Sequence, residues 1–298
     1  MARKRKRQGI VYCLIPIMGL LFIFHILPIL GSFAVSFTDL WRGHRIVGLE
    51  NYRALFRNPI VRKAFVNTFY FTGVAVPVNI ALSLGIALMI SYIPRFRTIF
   101  RTVYFLPVVT SMVGAAIVWR WLYQPQFGLF NELLQLVGLK PLKWLISERL
   151  ALPSIMIMSV WKNIGYNIVL FLAALRGIPV VFYEAARVDG ANFWQQLKRV
   201  TIPLLKPALL FITVTTMIGA LQIFTEIYVM TQSGSGSGAG SAPGGPENAT
   251  TVVVLVVQER GFRDMMMGYA SAIAFVLFII IMVMTYVALR LLRTEWSY

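Results

Sequence analysis

The residues best suited to chemistry in this chain crowd into WKNIGYN (161–167) and a looser set further on. Trp161, Lys162, Asn163, Tyr166 and Asn167 fall within seven positions, and Thr216, Gln222, Thr225 and Glu226 follow later in the chain. Amide, ammonium, phenol and hydroxyl groups beside an indole ring suit a molecule that carries hydroxyls all round and apolar ring faces. Lys162 and Glu226 also admit a plainer reading, a buried ion pair, or Glu226 reaching outward to water. Covalent catalysis fits poorly. No G-x-x-x-x-G-K-[ST] phosphate loop occurs, and the Gly/Ser tract at 234–241 lacks the lysine that would reach phosphates. No H-E-x-x-H is present, His25 and His44 lie in different segments, and no nucleophile is set beside a base. His25, inside an apolar run, is expected to hydrogen-bond between helices.

The elements that position these residues follow from composition. Of 298 residues 58% are hydrophobic and 13% charged, too apolar for a soluble domain. Six runs can each cross about 30 Å of hydrocarbon as a helix: roughly 10–37, 65–92, 103–123, 153–175, 208–230 and 267–291. β-Barrel alternation is absent, so the expected fold is all-α and polytopic with six transmembrane helices. Pro16, Pro28, Pro77 and Pro107 lie within or near the ends of spans, as tolerated kinks or as hinges. WKNIGYN then lies in the fourth span and Glu226 in the fifth. Charge at that depth costs at least about 2.5–3.5 kcal/mol, so it faces a bundle interior or an aqueous cavity.

The net charge of +17 raises nucleic acid as a partner, but the basic residues lie mostly between apolar runs and read as topology. One side of the membrane holds fifteen Lys and Arg against eleven on the other, and the basic MARKRKRQ adjoins the first span. Both termini, residues 1–9 among them, are therefore expected in the cytoplasm, with the first span an uncleaved helix. Arg120 and Trp121, at the outer end of the third span, read as interface anchors. Cys13, inside the first run, can form no internal disulfide.

Between the fourth and fifth spans stands a polar island, 176–206, containing EAARVDGANFWQQLKRVTIPLLKP (184–207). Pro179 suits a helix start, Asp189-Gly190 a turn, and Phe193, Trp194, Leu197 and Val200 recur on one helical face. Two readings stand open: an interfacial helix with aromatics in the headgroups, or a docking element for a cytoplasmic partner.

EAARVDGA followed by TIPLLKP resembles the EAA loop of the membrane subunits of binding-protein-dependent ABC importers. The likeness extends over nearly the whole chain, through VGLENYRALF (47–56), VYFLPVV (103–109), SVWKNIGYNIVLFLAALRGIP (159–179), IYVMT (227–231), GGPENATT (244–251) and MGYASAIA (267–274), in the pattern of the carbohydrate-uptake branch, MalF-like or UgpA-like. The resemblance implies a type I ABC importer permease fold forming half of a pore for a sugar or sugar derivative, in a bacterial or archaeal cytoplasmic (inner) membrane. It implies that Glu184 meets basic groups of an ATPase subunit, that Ala185 and Ala186 permit close approach, and that Asp189 and Gly190 make the turn. For the substrate pathway it implies Trp161, Lys162, Asn163 and Tyr166 from the fourth span with Thr216, Gly219, Ala220 and Ile223 on one face of the fifth; Glu226 completes the set. Ala220 and Ile223 have no side-chain hydrogen bond to offer, a departure from the pattern.

The implied partners are a second homologous membrane subunit, a dimer of cytoplasmic ATPases, an extracytoplasmic solute-binding protein, the sugar and membrane lipids, with no nucleic acid. The chain itself is then no enzyme and binds no cofactor or metal; ATP and Mg belong to the ATPase. A second departure is QSGSGSGAGSAP (232–243), which makes 232–246 an external loop with the composition of a flexible linker. The alternative is an ion-coupled secondary transporter. Such proteins show internal repeats and intramembrane carboxylates; here no repeat is obvious and Glu226 is the one acidic residue within a span.

Overall fold

A computed structural model describes residues 15–39, 45–92, 97–232 and 243–292. Cys13, the basic residues 1–9 and most of the linker-like loop (233–242) lie outside the described residues.

Nearly everything described is helical, because a chain in lipid must satisfy its amides and carbonyls within each segment. In order come α1 (Ile15–Val35), a short antiparallel pair β1 (Thr38–Asp39) and β2 (Arg45–Ile46), α2 (Glu50–Arg57) and α3 (Pro59–Tyr92). Then follow α4 (Arg97–Val109), α5 (Met112–Leu122), α6 (Leu129–Leu136), α7 (Ala151–Arg176), α8 (Val180–Val188) and α9 (Phe193–Leu204). The chain continues with α10 (Lys206–Leu221), α11 (Thr225–Thr231), α12 (Val253–Gln258) and α13 (Met267–Leu292). Four of these, α1, α3, α7 and α13, are long and apolar enough to cross a membrane unaided, and two sharply bent pairs raise the count among the described residues to as many as six.

Two spans differ from the continuous helices that hydropathy suggests. The third breaks at Thr110–Ser111, and its halves meet at 106°. Pro107 removes a donor from the ladder just before the break, and Ser111 restarts the helix as its N-cap, its hydroxyl facing the Gly114 amide at 3.5 Å. The fifth stops at Leu221 and resumes at Thr225 after a non-helical Phe224. By contrast Pro77 leaves α3 unbroken.

The described chain forms two compact units. In the smaller, residues up to 62 with 256–279, an aromatic group seats α1: Phe33 lies 4.5 Å from Phe275, and the Ser36 and Tyr52 hydroxyls bond at 2.7 Å. Here His25 is exposed and has no hydrogen bond among the described residues, unlike the expected interhelical bond, because α1 buries none of its apolar window in this chain.

The larger unit, 63–255 with 280–298, holds the candidate site. Its core gathers Phe71, Trp119, Tyr123, Ile155, Met158, Ile227 and Leu255 from α3, α5, α7, α11 and α12. A second cluster joins Ala87, Ile168, Phe171 and Ile212. At the crossing of α4 and α7, Gly165 lies so close to the Tyr104 carbonyl that a Cβ there would overlap it. A hydrogen is the one side chain that fits.

Candidate transport pathway and coupling element

A cavity of about 390 Å³ lies in the larger unit, walled by α3, the α4–α5 elbow, α7, α10 and α11. Asn163 and Tyr166 line it from α7, Thr216, Gly219 and Ala220 from α10, Ile223 from the break, and Glu226 from α11. Seven of the expected pathway residues therefore meet in one place. The turn at Gln222–Phe224 is what brings Glu226 back toward α7. A Cβ added to Gly219 would meet nothing within 4 Å, so this glycine leaves open room on the cavity side of α10.

Polar side chains knit the walls together. Asn167 Nδ2 donates to Asn79 Oδ1 at 2.7 Å and to Thr216 Oγ1 at 3.1 Å, joining α7 to α3 and α10. Ser83 Oγ donates to the Asn79 carbonyl at 2.6 Å, and Asn163 Nδ2 to the Ser159 carbonyl at 2.8 Å. Glu226 is buried, its Oε1 3.5 Å from the Ser159 hydroxyl that donates to it. Asn79, Ser159 and Phe71 are cavity residues that sequence reasoning missed. The signal was present: Asn79 and Ser83 are polar residues four apart in an otherwise apolar helix, and the cost of burying amides in lipid marks them as it marks WKNIGYN.

Trp161 and Lys162 lie outside this cavity, which corrects their expected place among its walls. Trp161 is half-exposed and packs against Trp119, ring centroids 5.2 Å apart and planes tilted by 51°. It lines an apolar groove there. Lys162 is buried, and its Nζ donates to the carbonyls of Pro107 at 2.6 Å and Val108 at 3.1 Å. Those carbonyls belong to the last turn of α4, where the break leaves them without the amides of a continuing helix. A cation there also matches the negative end of the helix dipole. Lys162 is thus a cap for a broken span, and no ion pair joins it to Glu226: the one salt bridge among the described residues is Arg260–Asp264. Arg120 does similar work, its Nη1 donating to the carbonyls of Val229 at 3.4 Å and Gln232 at 3.2 Å at the end of α11.

The polar island folds as a helix–turn–helix whose shape is set locally. α8 carries Glu184, Ala185 and Ala186 and ends at Asp189. Gly190 takes φ +73°, and the amides of Gly190 and Ala191 return to the carbonyls of Arg187 (3.0 Å) and Ala186 (2.8 Å), a Schellman closure. Asn192 then opens α9 with a reciprocal capping box to Gln195, both bonds 2.9 Å. The Tyr183 hydroxyl meets Thr201 Oγ1 at 3.0 Å and ties the two helices together. Buried Ile178 and Leu205 root the ends, while Glu184 is exposed and Val188 and Trp194 are 88% and 72% exposed.

An all-α membrane bundle with two broken spans, a polar cavity at the breaks and a protruding helix–turn–helix defines an integral membrane transport component. Residues 52–295 match the family described as binding-protein-dependent transport system inner membrane component, and the chain belongs to that family. Among its relatives, the arabinooligosaccharides transport system permease protein AraP of Bacillus subtilis is 33% identical over 272 residues, 90% of this chain and 83% of that one. The lactose transport system permease protein LacF of Rhizobium radiobacter is 33% identical over 276 residues, covering 91% and 89%. A chain of a bacterial alginate ABC transporter, crystallised with an alginate pentasaccharide-bound periplasmic protein, superposes with a TM-score of 0.83 at 23% identity over 98% of this chain and 97% of that one, which fixes the fold as that of an ABC importer permease.

Proposed function

We propose that this chain is one half of the pore of an ATP-driven importer for saccharides, and that the helix–turn–helix α8–α9 is the handle through which a cytoplasmic ATPase moves it. One observation carries the reading: α7 and α10, which wall the polar cavity, run directly into the two ends of the exposed helix–turn–helix. A push on the handle therefore acts on the cavity walls. Glu184 serves as its charged contact, Ala185 and Ala186 allow a close approach, and Asp189 and Gly190 hold the turn. Within the cavity, Asn163, Tyr166, Thr216 and Glu226 offer polar contacts, while Gly219, Ala220 and Ile223 shape the space. The relatives named for arabinooligosaccharides and lactose support a saccharide substrate. Among the described cavity-lining residues Glu226 is the one charged side chain.

The remaining parts follow from the same reading: a second homologous membrane subunit completes the pore, two ATPase subunits hold ATP and Mg on the cytoplasmic side with both termini, and an external binding protein delivers the sugar. ATP binding favours one of two cavity orientations because the ATPase dimer binds that state more tightly. The test is uptake into vesicles bearing the assembled complex. Uptake is expected to survive collapse of the proton gradient, to stop on ATP depletion, and to be lost in Glu184→Lys while the subunit stays inserted. Gradient-dependent uptake, or normal uptake by Glu184→Lys, would refute it.

A further inference from the structure

A second cleft, of about 280 Å³, opens where α7 passes into the handle. Its floor is apolar, formed by Leu88 at the end of α3 and by Leu172 and Leu175 of α7. Arg176 and Arg187 line it too, beside Ser91, Gln196 and the mutually bonded Tyr183 and Thr201. No described carboxylate lines it, and neither arginine is ion-paired or hydrogen-bonded among the described residues. Two guanidiniums with no partner among the described residues, beside leucines, select a ligand that is anionic at one end and apolar at the other.

We propose that this cleft seats the headgroup of an anionic phospholipid, its phosphate between Arg176 and Arg187 and its glycerol and first methylenes on Leu172 and Leu175. The volume falls below the roughly 300–1,000 Å³ of pockets that enclose a whole small molecule, so the acyl chains stay in the bilayer. Basic clefts between spans at the cytoplasmic surface are where anionic leaflet lipids bind, and the +17 charge of the chain favours such lipids nearby. A lipid held there touches α3, α7, α8 and α9 at once and braces the handle against the spans it moves. That bracing rests on the proposed coupling role; lipid retention does not.

The experiment uses the assembled complex in nanodiscs of mixed phosphatidylglycerol and phosphatidylcholine, with retained lipid counted by mass spectrometry after detergent extraction. Both arginines are exposed, so the double variant Arg176→Gln/Arg187→Gln keeps its fold, which size-exclusion of the complex checks. The parent is expected to retain phosphatidylglycerol in preference to phosphatidylcholine. The double variant is expected to lose that preference roughly thirtyfold, about fivefold for each arginine, and Arg176→Lys/Arg187→Lys to recover much of it. ATPase activity in the parent should rise with the phosphatidylglycerol fraction and stay flat in the glutamine variant. Equal retention by parent and variant overturns the site. Full replacement of the lipid effect by millimolar inorganic phosphate in phosphatidylcholine discs overturns the lipid and makes the cleft a soluble-anion site. Altered retention with ATPase activity in the parent that ignores the phosphatidylglycerol fraction leaves the lipid site standing and sinks the bracing of the handle.

Discussion

Replacing Lys162 by Met tests whether this lysine caps a broken helix or binds substrate. Its Nζ makes two short contacts, to the Pro107 and Val108 carbonyls. Hydrogen bonds to a charged group contribute about 1.5–3 kcal/mol each, so the change removes roughly 4–5 kcal/mol of favourable interaction at mid-range. It also relieves the burial of an ammonium, about 2.5–3.5 kcal/mol on insertion scales. The net loss is then about 1.5 kcal/mol, roughly tenfold in the folded-to-unfolded ratio. Equilibrium unfolding in a denaturing detergent, followed by tryptophan fluorescence, reads this directly because the Trp119–Trp161 pair lies beside the site. The half-saturating saccharide concentration for uptake should stay unchanged in Lys162→Met and rise in Asn163→Ala, since Asn163 lines the cavity and Lys162 does not. Parental stability together with a large loss of saccharide affinity in Lys162→Met would refute the capping argument.

Other perturbations follow the same geometry. Gly165→Ala forces a methyl group against the Tyr104 carbonyl and should destabilise the α4–α7 crossing by about 1–3 kcal/mol; Gly219→Ala, facing open space, should leave stability unchanged in the same unfolding assay. Asn167→Leu removes the donor shared by Asn79 and Thr216, and at about 1 kcal/mol per bond should cost about 2 kcal/mol and slow uptake, with no change in membrane insertion. In the smaller unit, burial raises the Glu259 carboxyl above its ordinary range, partly offset by Arg263 and Arg260. Because the folded state favours the protonated form, its contribution is present at acid pH and is lost as pH rises through the raised value. Hydrogen exchange over 256–263 should therefore quicken from acid toward neutral pH beyond the intrinsic rate change, and Glu259→Gln should abolish that increment.

The sequence by itself determined the class of molecule. Composition and run lengths demand a helical membrane protein, because lipid leaves the backbone no other partners than its own. The island's fold was equally legible, since Gly190 at a positive φ and the Asn192–Gln195 box close within a few residues of themselves. The meeting of Asn163, Tyr166, Thr216 and Glu226 was legible only as types on neighbouring spans. Tertiary structure alone decided which of these residues share a cavity. Trp161 and Lys162 sit in the same motif as Asn163, yet on a helix each residue turns about 100° from the last, so rotation and the breaks in neighbouring spans set each one's partner. Hydropathy averages over a window and does not register a bend at Thr110–Ser111 or at Phe224. The bend at Thr110–Ser111 exposes carbonyls that took Lys162 as their cap, the end of α11 took Arg120, and Glu226 was left to the cavity.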